Sequence, residues 1–315
     1  MKYGNSFFSI TILTLILSVF AFGQTAKKTV TASKTSSSTQ KDWSKLFSFD
    51  AFASGFYDTN IDHDDVETGA TGTSYGAVVR FKTSEKLPVF KVRYEIANNY
   101  FNNSNSRWNR ITHDLTASFE AGTKRVAFET VANMNLKGSI EEREITDYYS
   151  VKQLVKFRLD KRNRIIGFGT YRIKRYQDNP LKNSKNPIGG VNFEHSFGRG
   201  RILEVGYRFE RNKAEQNQHS YNRATYKVEY KMPLVGKSIL SLDAQYRQYK
   251  YDTINSIIRR DKKWIANAQL DIPISKRFVL SPSYRFENRR SNVTGKDYNA
   301  NLFGVTLRFK WRADD

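Results

Sequence analysis

The 315-residue chain has no cysteine, only six prolines and, beyond its first residues, no long apolar run. The absence of cysteine excludes a disulfide framework and thiolate metal sites. Because proline cannot donate a ladder hydrogen bond, so few prolines leave room for long, uninterrupted β-strands. The lack of a later apolar run argues against a transmembrane helix in the mature chain.

The N-terminus predicts export. Lys2 precedes an apolar run from Phe7 to Phe20, and Ala21-Phe22-Gly23 fits a small-x-small cleavage site. The run is short for a membrane span, so residues 1–23 are interpreted as a signal peptide, with a retained anchor as the alternative. Residues 24–42 are rich in Ser, Thr and Lys and are predicted to form a flexible basic periplasmic tail. Residues 43–315 have a different, alternating pattern.

The last strand candidate, Asn301 to Trp311, shows that pattern most clearly. Every odd position from Phe303 to Trp311 is apolar, and the even positions include Arg308 and Lys310. Successive side chains of a strand point to opposite faces, so one face of this strand is apolar and the other is cationic.

The same alternation predicts fourteen strands in all. Pro282 interrupts the thirteenth and predicts a bulge or a local break there. The predicted strands are Leu46–Tyr57, Ser74–Lys82, Pro88–Phe101, Trp108–Ala121, Arg125–Leu136, Ile145–Leu159, Arg164–Tyr176, Ile188–Phe197, Leu203–Glu210, Arg223–Lys231, Leu240–Arg247, Trp264–Ile272, Phe278–Glu287 and Asn301–Trp311.

The connections between these strands alternate between longer and shorter ones along the chain. Bacterial barrels have an even strand number, short periplasmic turns and longer external loops. The pattern therefore predicts an all-β fold, a transmembrane antiparallel up-and-down β-barrel of about 14 strands, with both termini periplasmic. A secreted all-β protein is the alternative.

In such a barrel the apolar parity faces lipid and the other parity faces the lumen. The low mean hydropathy of −0.63 fits this arrangement, because half of each strand is polar. Thirteen cationic residues are predicted to line the lumen: Arg80, Lys82, Lys91, Arg93, Lys152, Lys156, Arg158, Arg208, Lys227, Arg247, Arg285, Arg308 and Lys310.

These charges have two interpretations. Ten acidic residues share their parity, so the rows are mixed and can pair across strands to stiffen the wall. The chain has 52 Lys and Arg against 31 Asp and Glu, so the lumen can instead attract anionic solutes.

The cations alternate within strands rather than forming one patch, which argues against nucleic acid as a partner. The basic tail or an inward-folded loop could narrow the pore.

The first loop contains a spacing that resembles calcium loops. Asp58, Asn60, Asp62 and Asp64 place oxygen ligands at alternate positions. The glycine and glutamate of the EF-hand pattern are missing, so a solvated acidic external loop is the alternative. No cofactor is predicted. His195-Ser196 and His219-Ser220 are adjacent and point to opposite faces, and no Asp-x-His spacing occurs, so an enzyme is not predicted.

Across the mature chain the pattern resembles bacterial outer-membrane β-barrels, and Phe303 to Trp311 is similar to their aromatic terminal strand. Within that class, Gly55 to Ile61 resembles the tyrosine-aspartate-x-asparagine stretch in the barrel domain of surface-lipoprotein assembly modifiers. That resemblance also implies fourteen strands. The helical-repeat periplasmic domain of that family is absent from this sequence.

The sequence thus predicts a porin-like outer-membrane channel that passes small polar or anionic solutes. Outer-membrane lipid, lipopolysaccharide and the barrel-assembly machinery are its expected partners. Two other functions are kept as alternatives. One is an assembly or export factor for a surface protein or polysaccharide, and the other is a structural or adhesin barrel that acts through its external loops.

Overall fold

The computed structural model describes residues 46–63, 68–84, 86–102, 108–139, 145–252 and 258–312. The predicted signal peptide and basic tail lie outside these residues. No helix among them is long and apolar enough to cross a membrane. The strands are β1 Phe47–Asp58, β2 Ala70–Lys82, β3 Val89–Phe101, β4 Arg110–Gly122, β5 Val126–Ser139, β6 Ile145–Arg158, β7 Asn163–Tyr176, β8 Ser184–Gly198, β9 Arg201–Ala214, β10 Tyr221–Pro233, β11 Ile239–Tyr251, β12 Arg260–Pro273, β13 Phe278–Ser291 and β14 Tyr298–Arg312.

The fourteen strands form one closed antiparallel barrel in which each strand pairs with its neighbours in sequence. The seam joins β1 to β14 over a continuous register from Ser48↔Arg312 to Asp58↔Leu302. The hydroxyls of Ser54 and Thr306 lie 2.9 Å apart across this seam. The predicted fold class, strand number and closing pair are confirmed.

Most strands extend further than the alternation predicts. β8 begins at Ser184, four residues before the predicted start, and Pro187 is its fourth residue. At Pro282 the pairing of β13 with β12 skips two positions and resumes in the same register, while its pairing with β14 is unbroken. The proline therefore causes a local break rather than a bulge, because only the ladder hydrogen bond is lost.

The two ends of the barrel differ in their connections. At one end, the loop end, the segments 59–69, 102–109, 140–144, 177–183, 215–220, 252–259 and 292–297 join the strands. At the other end, the turn end, each connection is shorter than the loops next to it in sequence. The tightest is Arg199-Gly200 between β8 and β9, where Arg199 has φ 51° and Gly200 φ 76°. The predicted long–short rhythm is confirmed.

The outer surface is apolar. In β14, Phe303 and Val305 are each 50% exposed, and Leu307 and Trp311 follow at 43% and 40%. Large apolar side chains on the same face of the other strands are exposed in the same way, while charged side chains such as Glu210 are buried on the opposite face. This inversion of the globular pattern is what a hydrocarbon solvent requires.

Candidate functional site in the barrel interior

The ladder pairing places all thirteen predicted lumen residues on the inward parity. They do not form one group. Lys152, Arg208, Lys227 and Arg247 line one cavity, whereas Arg80 pairs with Asp50 at 2.8 Å near the turn end. The others are distributed along the wall, several of them in ion pairs.

A cavity of about 450 Å³, here called the central cavity, lies at mid-height of the inner wall between β6 and β11. Five cationic side chains line it, and no carboxylate is among its described lining residues. The five are Lys152, Arg172, Arg208, Lys227 and Arg247. A concave surface of one charge sign raises the local concentration of the opposite ion. The central cavity is therefore suited to an anion.

Carboxylates just outside the lining neutralise part of this charge. The Nζ of Lys227 lies 2.6 Å from Glu229 and 3.5 Å from Glu204. Lys152, in contrast, makes no salt bridge with any described residue. Its Nζ lies 4.5 Å from the centre of the Phe168 ring, in a cation–π contact. The charge of Lys152 thus remains available to a solute.

Sequence reasoning missed Arg172, which lies on β7. The alternation in that strand is obscured because Gly167 and Gly169 occupy outward positions where other strands carry apolar side chains. Pairing of β7 with β6 shows that Phe168, Thr170 and Arg172 share the inward face with Lys152. Ladder pairing, rather than the alternation of one strand, identifies this residue.

Above the central cavity, towards the loop end, the wall contains a buried ion cluster around Glu210, here called the Glu210 cluster. Glu210 and Arg223 are both 0% exposed, and their side chains meet at 2.5 Å. Arg172 lies 2.8 Å from the same carboxylate, and Asn186 donates to it at 2.9 Å. A carboxylate this buried needs such partners, because an unpaired charge in a dry site is very costly.

A second buried cluster surrounds Glu287 on β13, also towards the loop end. Lys263 lies 2.6 Å from Glu287, Arg285 forms a short ion pair with it, and the Tyr298 hydroxyl donates to it at 3.2 Å. His63, from the first loop, stacks on Tyr298 and lies 3.9 Å from Glu287. The sequence placed Arg285 on the lumen side but did not indicate this packing.

Near the turn end, four charges form a more open group, here called the Glu120 network. Lys156 bridges Glu120 at 2.9 Å and Glu129 at 2.7 Å. Lys91 lies 3.3 Å from Glu120, and its side chain is 41% exposed. These side chains pair across neighbouring strands, as the stiffening interpretation predicts.

The first loop folds into the loop end of the barrel. Ile61 is 0% exposed and packs with Ala70 and Phe101, with Phe56 and Trp108 around them. The predicted alternative of a solvated acidic external loop is wrong for residues 58–61, because apolar burial of Ile61 pulls the loop inward. An inward-folded loop that narrows the barrel was among the predictions.

The residues of the predicted calcium loop have other partners. The Asp58 carboxylate accepts a hydrogen bond from the backbone N–H of Asn60 at 2.9 Å, and the Asn60 amide donates to the Asn299 carbonyl at 3.0 Å. Asp62 accepts from Trp108 Nε1 at 3.3 Å. Asp64 lies outside the described residues. Within the described ranges, no group of three or more His, Asp or Glu side chains could hold a metal ion.

Both the sequence and the fold are similar to those of known barrel proteins. Residues 165–311 match the model of a family described as "Putative beta-barrel porin 2". OmpT of Vibrio cholerae, an outer-membrane protein, has a similar fold: the TM-score is 0.52 at 12% identity, over 84% of this chain and 97% of that one. The chain is a closed β-barrel with a porin-like fold.

A second structure of the same neighbour has a similar fold. The trimer form of in-vitro folded Vibrio cholerae OmpT gives a TM-score of 0.50 at 10% identity, over 84% of this chain and 99% of that one. No curated protein matches the chain. At these identities the structural likeness shows the fold alone.

Proposed function

We propose that this barrel is an outer-membrane channel that passes small polar solutes with a preference for anions. The central cavity carries the proposal, because five inward cations meet there without a carboxylate in the described lining. In the Glu210 cluster, the cluster around Glu287 and the Glu120 network, carboxylates lie among the cations, whereas the carboxylates that pair with Arg172 and Lys227 lie outside the lining of the central cavity. A permeating anion therefore finds its most favourable potential at mid-height.

Lys152 is the residue on which this preference depends most. Its ammonium group contacts an aromatic ring and makes no salt bridge with a described residue, so no directly paired carboxylate cancels its field. The field of a charge inside a narrow, low-dielectric wall is screened less than that of a surface charge. Anion preference should consequently weaken when this one charge is removed.

Reversal potentials in planar bilayers test the proposal. Purified barrel is inserted between two KCl solutions of unequal, low concentration, so that salt screening stays weak. We expect chloride to be more permeable than potassium, and Lys152→Gln to lower the permeability ratio. Lys185→Gln is the matched control, because Lys185 lies on the outward parity of β8 and should leave the ratio unchanged.

Two results would contradict the proposal. Equal permeability of the two ions would remove the anion preference. A barrel that stays silent at all voltages would remove the channel itself, and would favour the export-factor or adhesin function.

The orientation belongs to the same proposal. β1 begins and β14 ends at the turn end, and bacterial barrels have short periplasmic turns, which supports a periplasmic location for both termini. The chain has no cysteine, so single cysteines can be introduced without background. A membrane-impermeant maleimide should label Lys296→Cys at the loop end in intact cells and spare Val235→Cys at the turn end. The reverse result would invert the orientation.

Lipid and lipopolysaccharide around the apolar outer face are partners that this proposal retains. The barrel-assembly machinery is retained as the partner that inserts the barrel into the membrane. Chemical crosslinking in cells is the measurement that checks this last partner.

A further inference from the structure

The central cavity has an apolar side as well as a cationic one. Phe168 and Ile188 line it on adjacent strands, β7 and β8. The Phe168 ring lies across the backbone of Gly190, its ladder partner, where an added Cβ would meet the ring at 2.5 Å. Since Gly190 has no side chain, the ring can lie against the wall and turn one face to the cavity.

This apolar floor has no function in passing an inorganic ion. Chloride or phosphate gains from the cations and gains nothing from Phe168, whose partly exposed ring then remains in contact with water. Ile188 is buried and supports the floor beside the ring. An organic anion with a compact apolar body uses both sides. Its charged group reaches the cations while its body covers the ring.

Two hydrogen-bond donors on residues that line the cavity have no acceptor among the described residues. The hydroxyl of Thr225 is buried, at 4% residue exposure, and has no hydrogen-bond partner among the described residues. The Nε of Arg172 is likewise without a described partner, although its Nη2 pairs with Glu210. Buried donors of this kind are usually satisfied, and an oxyanion would satisfy them.

We propose that the central cavity is a binding site for amphipathic organic anions, in which the cations hold an oxyanion group and the Phe168 ring, supported by Ile188, holds a compact apolar body. The site rests on the proposed channel function and adds the chemical class of its preferred solute. Lys152 is shared by the two parts, because its ammonium lies over the Phe168 ring and within reach of an anion bound there.

Two sulfonates separate charge from apolar contact. Methanesulfonate and benzenesulfonate carry the same charged group at any ordinary pH, and they differ in the apolar body. Isothermal titration calorimetry of each into detergent-solubilised barrel should show that benzenesulfonate binds about tenfold more tightly, since partial burial of a phenyl ring supplies an effect of that order.

Substitutions of Phe168 and Lys152 test whether the apolar side of the cavity causes the difference in affinity between the two sulfonates. Phe168→Ala should abolish the preference for benzenesulfonate over methanesulfonate, and Lys152→Gln should weaken the binding of both. Phe168→Leu keeps apolar volume and should retain part of the preference. Phe193→Ala is the matched control, because Phe193 is on the outward face of β8 and 41% exposed. Gel mobility of unheated samples verifies that each variant is folded.

The outcomes distinguish this inference from the channel proposal. Equal affinity for the two sulfonates in the wild-type barrel, or an unchanged preference in folded Phe168→Ala, overturns the organic-anion site whatever the conductance shows. A barrel that binds benzenesulfonate selectively but shows no chloride preference in bilayers retains the site, and the anion preference of the channel proposal is then wrong.

Discussion

The two ends of the inner wall use the same residue types in opposite ways. Towards the loop end, Glu210 and Glu287 are almost completely buried among cations, tyrosines and amides. Towards the turn end, the Glu120 network leaves its side chains between 13% and 41% exposed. The difference shows that an inward charge acts as packing material in one half of this barrel and as a hydrated wall in the other.

Burial decides what each charge can do. A buried, paired carboxylate is important for stability, because its removal leaves its partners as buried charges without compensation. A hydrated pair contributes little to stability and remains free to respond to passing ions. The central cavity lies between these two regimes, since Arg172 pairs with the fully buried Glu210 while Lys227 pairs with the exposed Glu229. We therefore expect stability and selectivity to separate along the barrel.

The largest expected effect tests the buried half. Glu210→Gln keeps the shape of the side chain and removes its charge, which leaves Arg223 and Lys174 buried without their carboxylate. We expect a loss of about 3–5 kcal/mol in the free energy of unfolding, as for other broken buried ion pairs. Urea titration of the barrel in lipid vesicles, followed by tryptophan fluorescence, measures it.

Glu229→Gln is the matched control for that variant. Glu229 is inward-facing and pairs with Lys227 at 2.6 Å, but its side chain is 44% exposed. Its loss should cost less than about 1 kcal/mol. If both variants cost the same, burial does not separate the two halves of the wall.

A second prediction concerns the first loop, which closes part of the buried half. Ile61→Ala removes a fully buried side chain from its contacts with Ala70 and Phe101. We expect a loss of about 2–5 kcal/mol, or a lower cost if the loop detaches. Detachment should also raise single-channel conductance. Unchanged stability together with unchanged conductance would show that Ile61 does not hold the loop inside.

The third prediction tests the hydrated half. Glu120→Gln leaves Lys156 and Lys91 with Glu129 as a shared partner. We expect a loss of about 1 kcal/mol or less, because the group is partly exposed and one carboxylate remains. The same urea titration measures it. A loss as large as that of Glu210→Gln would place the Glu120 network among the buried clusters.

The smallest expected effect lies outside the strands, in the turn between β6 and β7. The Asn163 side chain and two backbone N–H groups donate to Asp160 and hold the pKa of its carboxyl below its usual value. A lowered pKa contributes stability above the unfolded value, and that stability is lost as pH falls through the folded value.

Comparison of the wild-type barrel with Asp160→Asn between pH 7 and about pH 3 checks this turn. The wild-type barrel should lose more stability than the variant over that interval. An identical pH dependence in both would show that the hydrogen bonds at Asp160 do not depend on its charge.

The strand pattern was predictable because lipid and lumen impose opposite demands on alternate side chains. In β14 each outward position from Phe303 to Trp311 is apolar, so the sequence alone identifies the strand and its two faces. The strand ends were less predictable. At the start of β8, the stretch from Ser184 to Pro187 has loop-like composition, and its pairing with β7 and β9 determines its conformation.

The candidate site was only partly predictable, because it too depends on pairing between strands. Parity identified Lys152, Arg208 and Lys227 as inward residues, because alternation is a property of one strand. Which inward residues meet depends on the register of several strands, and no single strand contains that information. The inward fold of Asp58 to Ile61 was masked by its acidic composition, which in a soluble loop indicates exposure.

The seam between β1 and β14 has a consequence for how the barrel is made. It joins residues from the two extremes of the described chain, as in the contact between Ser54 and Thr306. Contacts between residues so far apart in sequence form slowly, because the chain loses the entropy of loop closure before the contacts can stabilise it. Until β14 arrives, the sheet has two open edges that could pair with other chains. Ring closure is therefore the step at which correct folding and aggregation compete.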